Sequence, residues 1–182
     1  MALLKIENVR ISGMSVGVPR KVVKTISTTS KYGAEDFVAT TGVIEKRLDN
    51  LTTSDLALPA VEKLIADLKW DKLDIKGLVF VTRTPDYFLP ATSCVVQGKL
   101  GLGKDCYAMD INLGCSGWVY GLSAMAALMQ TGCIKKAIVI AGDARKQAAE
   151  EQDQLFGFAA TATALEYDEN AGPIYFDFGT DR

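Results

Sequence analysis

Three short apolar runs, separated by segments with helical spacing, constrain the fold most. The runs cover residues 77–81, Tyr107–Ile111 and 137–141, and turn-type residues flank each of them. Runs this short are typical of strands that are buried on both faces of a sheet. Helices are predicted between them, over residues 91–100 after Pro90 and over residues 116–131. This alternation predicts an α/β fold with a largely parallel sheet.

The remaining elements are predicted from start and stop signals. Thr52 and Asp55 form a capping pattern at the start of an amphipathic helix that is expected to end near Trp70. A weaker helix is expected over residues 30–41, ended by Gly42. Residues 6–16 are predicted to be extended, and two later strands are expected at 160–166 and Ile174–Phe178.

The predicted helix over residues 116–131 carries almost no charge on any face. A helix that is apolar all round is buried, and a single sheet would cover only one of its sides. We therefore expect a further layer of the same fold, or a partner chain, to cover the other side. Gly132 is the expected C-cap of this helix.

Composition excludes several classes of protein. The chain has 182 residues, 48% of them hydrophobic, and a net charge of −2 from 20 basic and 22 acidic residues. This supports one compact domain over residues 1–182 and gives no basic stripe for nucleic acid. The N-terminus has no signal-peptide pattern, and the most apolar stretch, 118–129, is too short to cross a bilayer. We therefore expect a cytoplasmic protein without a membrane partner.

The chain has four cysteines, at positions 94, 106, 115 and 133, and no histidine. No C-x-x-C spacing occurs, so we expect neither a metal site nor disulfides, and buried or half-buried thiols at 94, 106 and 133. The absence of histidine excludes a Cys–His pair made within this chain.

Cys115 lies where a predicted strand passes through a tight turn into the apolar helix. Gly114 and Gly117 are expected to let the backbone bend sharply there. A thiol at a helix N-terminus is favoured as thiolate, and the free N–H groups can stabilise the oxyanion formed when a thioester is attacked. From spacing alone, the simpler interpretation is a small core thiol at a strand–helix junction.

Four segments, in order and spacing, resemble the β-ketoacyl-acyl-carrier-protein synthase III family. The first, residues 108–122, which contains Gly-Cys-Ser-Gly-Trp at 114–118, is similar to the family's active-site segment. Residues 41–47, Thr-Gly-Val-Ile-Glu-Lys-Arg, resemble its Thr-Gly-Ile-x-Glu-Arg motif. Residues 88–97 resemble its Pro-Ser-x-x-x-x-x-Gln helix start, and residues 136–143 resemble its Ala-Leu-Val-Val-x-x-Asp strand.

The resemblance implies a thiolase-like fold in which two similar halves stack into five layers. This chain would be the N-terminal half: a mixed five-stranded sheet with helices on both faces and a central buried helix after the Cys115 turn. The missing half would supply the second cover for that helix. The chain is accordingly expected to be a fragment of a longer protein.

The resemblance also implies the chemistry. Cys115 matches the nucleophile that takes an acyl group from an acyl-coenzyme A or acyl-carrier-protein thioester, without a further cofactor. Malonyl carrier protein then loses carbon dioxide and its enolate attacks the acyl-enzyme, assisted by a histidine and an asparagine of the second half. Leu155 and Phe156 match substrate-binding positions. Leu89 matches a residue that reaches into the partner's acyl pocket, so a homodimer is expected.

Two departures concern coenzyme A. Ile44 stands where the family often has an arginine that meets coenzyme A, and residues 150–153 lack a second one. Phe158 replaces the aspartate of the family's Phe-Gly-Asp-Gly-Ala. Weak binding of coenzyme A is therefore expected, unless Lys46, Arg47 and Arg83 compensate; the simpler interpretation of these three is solvated surface charge.

Two other functions stay open. One is a specialised condensing or acyl-transfer enzyme of secondary metabolism or polysaccharide decoration, which the altered coenzyme A positions favour. The other is a non-catalytic thiolase-fold subunit that serves as an assembly surface, against which the presence of Cys115 argues.

Overall fold

A mixed five-stranded sheet forms the centre of the structure, a computed structural model that describes residues 2–24, 34–144 and 155–180. The strands lie in the order β2 (Val9–Gly17), β8 (Ala159–Tyr167), β7 (Lys136–Asp143), β5 (Ile75–Val81) and β6 (Tyr107–Ile111). Strand β5 runs parallel to β6 and β7, whereas β8 pairs antiparallel with β7 and β2. The mixed five-stranded sheet that the resemblance implies is confirmed, whereas the largely parallel sheet predicted from the alternation is wrong for β2 and β8.

Two small sheets flank the central one. Strand β1 (Ala2–Ile6) pairs with β9 (Ile174–Phe178), and β3 (Val22–Lys24) pairs with β4 (Glu45–Arg47). The predicted extended segment over 6–16 is in fact two strands, β1 and β2, because the chain turns at Asn8, where φ is +59°. Strands β3 and β4 were not predicted, since three residues are too few to show an alternating pattern.

Four α-helices are described: α1 (Ala34–Thr41), α2 (Thr53–Leu68), α3 (Thr92–Leu100) and α4 (Gly117–Met129). The capping box of α2 is confirmed, since the Asp55 N–H donates to Thr52 Oγ1 (3.1 Å) and the Thr52 N–H to Asp55 Oδ2 (2.9 Å). Helix α2 ends at Leu68, two residues before the predicted end, because Lys69 adopts the left-handed conformation. Residues 30–33 of the predicted first helix lie outside the described residues.

The helices lie on both faces of the sheet, as predicted. Helices α2 and α3 pack on one face, where the buried residues include Leu64, Leu78 and Ile140. Helix α4 packs on the other face against Val79, Val81 and Val139. In the described ranges no helix combines the length and apolar character needed to cross a membrane.

The outer side of α4 is only partly covered within this chain, in line with the expectation that another layer or a partner covers it. Its inner side is buried through Leu122, Met125 and Met129, but Val119 is 37% exposed. A mainly apolar cleft of about 280 Å³ lies beside this helix and is lined by Ile11, Trp118, Val119, Leu122, Ala126, Leu165, Ile174, Tyr175 and Phe176. No described residue of this chain therefore completes the second cover.

The end of α4 also differs from the prediction. The helix ends at Met129 with Gln130 as its C-cap, so Gly132 is not the cap. Gly132 lies in the turn that follows, with φ at +84°, and its N–H donates to the Met129 carbonyl (3.0 Å).

Candidate active site around Cys115

Cys115 lies at the edge of the sheet where the three parallel strands end. Strand β6 ends at Ile111, and residues 112–116, here called the Cys115 turn, connect it to α4. The N–H of Thr82, the first residue after β5, donates to the Ile111 carbonyl (3.1 Å) and holds these two strand ends together. Every residue of the Cys115 turn is exposed, so its thiol is accessible in this chain.

The turn presents backbone donors beside the thiol. The Gly117 N–H donates to the Gly114 carbonyl (2.8 Å), whereas the N–H groups of Cys115 and Ser116 donate to no acceptor in the part of the chain that the structure describes. Ser116 caps α4 without a side-chain hydrogen bond. Such open donors at a helix N-terminus are suited to a developing oxyanion.

The glycines of the turn have a different role from the predicted one. Neither Gly114 nor Gly117 has a positive φ, so neither is needed for a sharp bend. A Cβ at Gly117 would lie 2.5 Å from Val81 Cγ1, which shows that this glycine allows α4 to approach β5 closely. A Cβ at Gly114 would meet only Arg83 Cδ, at 3.6 Å.

Asp143, at the end of β7, organises this edge. Its Oδ1 accepts from the Thr82 hydroxyl (2.9 Å), the Arg83 N–H (2.8 Å) and the Thr84 hydroxyl (3.2 Å). Its Oδ2 accepts from Arg83 Nε (3.1 Å). One carboxylate therefore fixes the segment after β5 beside the Cys115 turn. The sequence signal, which the prediction did not use, is that Thr82-Arg83-Thr84 and Asp143 stand at the carboxyl ends of adjacent parallel strands.

Asp110 fixes α3 at the same edge. Its two carboxylate oxygens accept from the N–H groups of Thr92 and Ser93, each at 2.7 Å, in the first turn of α3. This places the segment that contains Leu89 near the end of β6. Phe88 and Leu89 are 97% and 78% exposed, so the described residues do not enclose Leu89 in a pocket.

Phe156 lies beside Arg83, the residue that adjoins the Cys115 turn. The guanidinium carbon of Arg83 is 5.6 Å from the centre of the Phe156 ring, and the same arginine adjoins Gly114. Both Leu155 and Phe156 are about half exposed. The following residues contact β4, where the Phe158 N–H donates to the Arg47 carbonyl (2.9 Å). The predicted substrate segment therefore connects β4 to the Cys115 edge.

The other three thiols differ from one another. Cys106 is half-buried, as expected, and burial raises the pKa of its thiol to about 11, with the nearby Asp105 charge adding to the effect. Cys94 and Cys133 are exposed, so the expectation of buried thiols is wrong for both. Cys94 lies on the outer side of α3, and Cys133 lies in the turn after α4. No group of three potential metal-ligating side chains occurs within the described ranges.

The three basic residues near the expected coenzyme A positions are buried or already form hydrogen bonds or ion pairs within this chain. Lys46 is only 4% exposed, so the interpretation of this residue as solvated surface charge is wrong. Arg47 Nη1 donates to the Pro19 carbonyl (3.1 Å), and Arg83 pairs with Asp143. Ile44 is largely exposed, and Phe158 is packed into the core. Residues 150–153, where the second arginine is missing, lie outside the described residues.

The family model and several curated relatives that match this chain are those of 3-oxoacyl-[acyl-carrier-protein] synthases III. The family model for 3-oxoacyl-[acyl-carrier-protein] synthase III matches residues 109–182. The β-ketoacyl-[acyl-carrier-protein] synthase III of Bacillus pumilus is 32% identical over 96% of this chain and 58% of its own length. The chain spans about half the length of the curated relatives that it matches.

Solved structures agree with the sequence relatives. The 3-oxoacyl-(acyl-carrier protein) synthase of Burkholderia xenovorans superposes with a TM-score of 0.86 and 34% identity, over 96% of this chain and 52% of that one. A second structure, of a 3-oxoacyl-(acyl-carrier-protein) synthase III, has a TM-score of 0.80 and 30% identity, over 90% of this chain and 51% of its own. The thiolase-like architecture is thus confirmed, and most of the chain matches part of the 3-oxoacyl-[acyl-carrier-protein] synthase III family's sequences and structures.

Proposed function

We propose that Cys115 accepts an acyl group from a thioester primer, and that the protein then condenses this group with malonyl-acyl carrier protein. The observation that carries the proposal is an exposed thiol at the N-terminus of α4, at the edge where three parallel strands end, in a chain that matches part of this family. Residues 1–182 would act as the thiolase-like half that carries the nucleophile.

The first step is acyl transfer. The Cys115 thiolate attacks the thioester carbonyl carbon, the bond from that carbon to the carrier sulfur breaks, and the carrier leaves as a thiol after taking up a proton. The N–H groups of Cys115 and Ser116, which have no acceptor among the described residues, are the candidates to stabilise the oxyanion. The metal-free, cofactor-free character of this step is part of the proposal.

The second step is condensation. Malonyl-acyl carrier protein loses carbon dioxide, and the resulting enolate carbon attacks the acyl-Cys115 carbonyl. The carbon–sulfur bond breaks, the Cys115 thiolate is regenerated, and the product is a β-ketoacyl thioester lengthened by two carbons. This chain has no histidine. Since a histidine assists decarboxylation in the family, this chain alone is expected to stop at acylation.

Substrate contacts are assigned to Phe156, Leu155 and Leu89. Phe156 lies beside the Arg83 side chain that adjoins the Cys115 turn. Leu89 and its neighbour Phe88 project into solvent, which suits residues that enter the acyl pocket of a second subunit. We therefore propose a homodimer and an acyl carrier protein as partners. Ile44 offers no charge to a phosphate, so carrier protein is favoured over free coenzyme A as the primer carrier.

The test is condensation by the protein in its natural length. Purified Cys115→Ala and Cys94→Ala variants are incubated with acyl-carrier-protein primer and malonyl-acyl carrier protein, and the β-ketoacyl product is measured by mass spectrometry. Cys94 is the matched control because it is also exposed. Loss of at least about a hundredfold in the first variant, with normal activity in the second, supports the proposal. If the unaltered protein forms no β-ketoacyl product with any of the primers, a non-catalytic subunit is favoured instead.

A further inference from the structure

Arg83 is a cation fixed next to the Cys115 turn. Its backbone N–H and its Nε both donate to Asp143, at 2.8 Å and 3.1 Å, so the side chain is fixed near its base as well as near its end. Its Cδ lies 3.6 Å from the place that a Cβ would take on Gly114, the residue before Cys115. The centre of the Phe156 ring is 5.6 Å from the guanidinium carbon of the same arginine.

The contact with Asp143 leaves some hydrogen-bond donors of the Arg83 guanidinium available. The carboxylate also accepts from the hydroxyls of Thr82 and Thr84, so it shares its charge among four donors. Arg83 uses only Nε to reach it. The terminal nitrogens Nη1 and Nη2 donate to no acceptor within residues 2–24, 34–144 and 155–180, and the side chain is 39% exposed.

A guanidinium with a free end is suited to one kind of ligand. Nη1 and Nη2 carry four N–H donors in a fixed plane, which matches the oxygens of a carboxylate or a phosphate. The Nε edge can stay with Asp143 while the terminal edge binds a second anion. The Phe156 ring lies within cation–π distance of the same guanidinium, 5.6 Å from its carbon to the ring centre, and helps to hold it in place.

We propose that the terminal guanidinium nitrogens of Arg83 recognise an oxyanion on the thioester that acylates Cys115. The oxyanion is either a carboxylate on the acyl group or a phosphate on the carrier. The inference rests on the proposed role of Cys115 and adds a specificity-determining residue to it. Arg83 acts on substrate choice, and the chemistry of acyl transfer itself stays with Cys115 and the backbone donors.

The first experiment compares two alkylating reagents on the same thiol. Iodoacetate carries a carboxylate and iodoacetamide does not, and both react with the thiolate, so a change in thiol ionisation cancels from the ratio of their rates. Rates at Cys115 and at Cys94 are measured by peptide mass mapping in the unaltered chain and in R83M, R83K and R10M. Arg10 is the control because it lies on β2, at the opposite edge of the sheet from β6. Its side chain is also ion-paired, with Glu166 and Asp168.

We expect R83M to lower the iodoacetate-to-iodoacetamide ratio at Cys115 by about fivefold, as the loss of one charge contact in a solvent-exposed setting would. The ratio at Cys94 should not change, R83K should keep most of the ratio at Cys115, and R10M should keep all of it. An unchanged ratio at Cys115 in R83M overturns the proposal. A low iodoacetamide rate at Cys115 in the unaltered chain would instead count against the proposed nucleophile, so the two failures are distinguishable.

The second experiment identifies where the oxyanion is carried. Cys115 acylation is measured by intact mass with butyryl and succinyl thioesters, which have the same number of acyl carbons, on N-acetylcysteamine and on coenzyme A. If R83M lowers the succinyl-to-butyryl ratio on both carriers, the oxyanion is the acyl carboxylate. If R83M lowers only the coenzyme A-to-N-acetylcysteamine ratio, it is a carrier phosphate. If neither ratio changes, Arg83 does not recognise the substrate.

Discussion

At the scale of single residues, the carboxylates at the strand ends decide where the reactive groups lie. Asp143 fixes the segment after β5, and Asp110 fixes the start of α3, each through at least two hydrogen bonds shorter than 3 Å. Charged acceptors make such bonds stronger than neutral ones, so these positions are well determined. The four thiols differ in burial, because Cys106 is half-buried and the other three are exposed.

Cys106 should be the slowest of the four thiols to alkylate. Its pKa is raised from 9.0 to about 11, so at pH 8 its thiolate fraction is about a hundredfold lower than that of a thiol with the ordinary value. Iodoacetamide labelling between pH 7 and pH 11 measures this by peptide mapping, with exposed Cys133 as the control. The Cys106 rate should still rise between pH 9 and pH 11. A plateau by pH 9 would show that the thiol is not shielded.

The raised pKa of Cys106 also determines how its contribution to the free energy of unfolding changes with pH. The neutral thiol is the form that the fold favours, so the contribution of Cys106 is complete below pH 9, where both the folded and the unfolded thiol are protonated. It is lost as the pH rises from 9 to about 11, because only the unfolded state ionises readily in that window. A Cys106→Ala variant should therefore lose less stability than the unaltered protein when the pH is raised from 8 to 10.5, as measured by urea unfolding.

At the scale of elements, helix caps and close packing could be predicted to different degrees. The capping box of Thr52 and Asp55 and the glycine end of α1 could be predicted because each depends on residues within a few positions of one another. The packing role of Gly117 could not be predicted from the sequence. Its contact with Val81 joins residues far apart in the chain, and no local pattern distinguishes a packing glycine from a turn glycine.

Gly117→Ala should destabilise the protein by about 1–3 kcal/mol, because the new Cβ would lie 2.5 Å from Val81 Cγ1 and α4 would have to move away from β5. Gly98→Ala is the matched control in α3, where a Cβ meets nothing within 4 Å. It should be neutral or stabilising by up to about 1 kcal/mol, since alanine is the better helix former. Equal melting temperatures for the two variants would show that α4 does not pack this closely.

At the scale of the whole molecule, the sequence predicted the sheet, the faces that carry helices and the position of Cys115 at a strand–helix turn. It did not predict the Arg83–Asp143 contact or the burial of Lys46, because both depend on segments brought together by the fold. The expectation that α4 needs a second cover also belongs to this scale. The cleft beside it is apolar and open, as expected for a surface that another layer covers.

Val119→Lys tests that cover in the protein of natural length. If a further layer lies on α4, a charge at Val119 is buried and should destabilise the protein by at least about 2 kcal/mol. Val22→Lys is the control, since Val22 on β3 is 42% exposed and Val119 is 37% exposed in this chain. Thermal unfolding of both variants gives the comparison. Similar small effects, within about 0.5 kcal/mol, would mean that the outer side of α4 faces water.

The most direct test of the account is the covalent adduct itself. The protein is incubated with an acyl-carrier-protein thioester, and its intact mass and tryptic peptides are measured after quenching at low pH. We expect one acyl group per chain, located on Cys115, and no adduct in Cys115→Ala, although Cys94 and Cys133 are also exposed. An acyl group found on Cys94 or Cys133, or an unaltered mass after exposure to primers with and without a carboxylate, would contradict it.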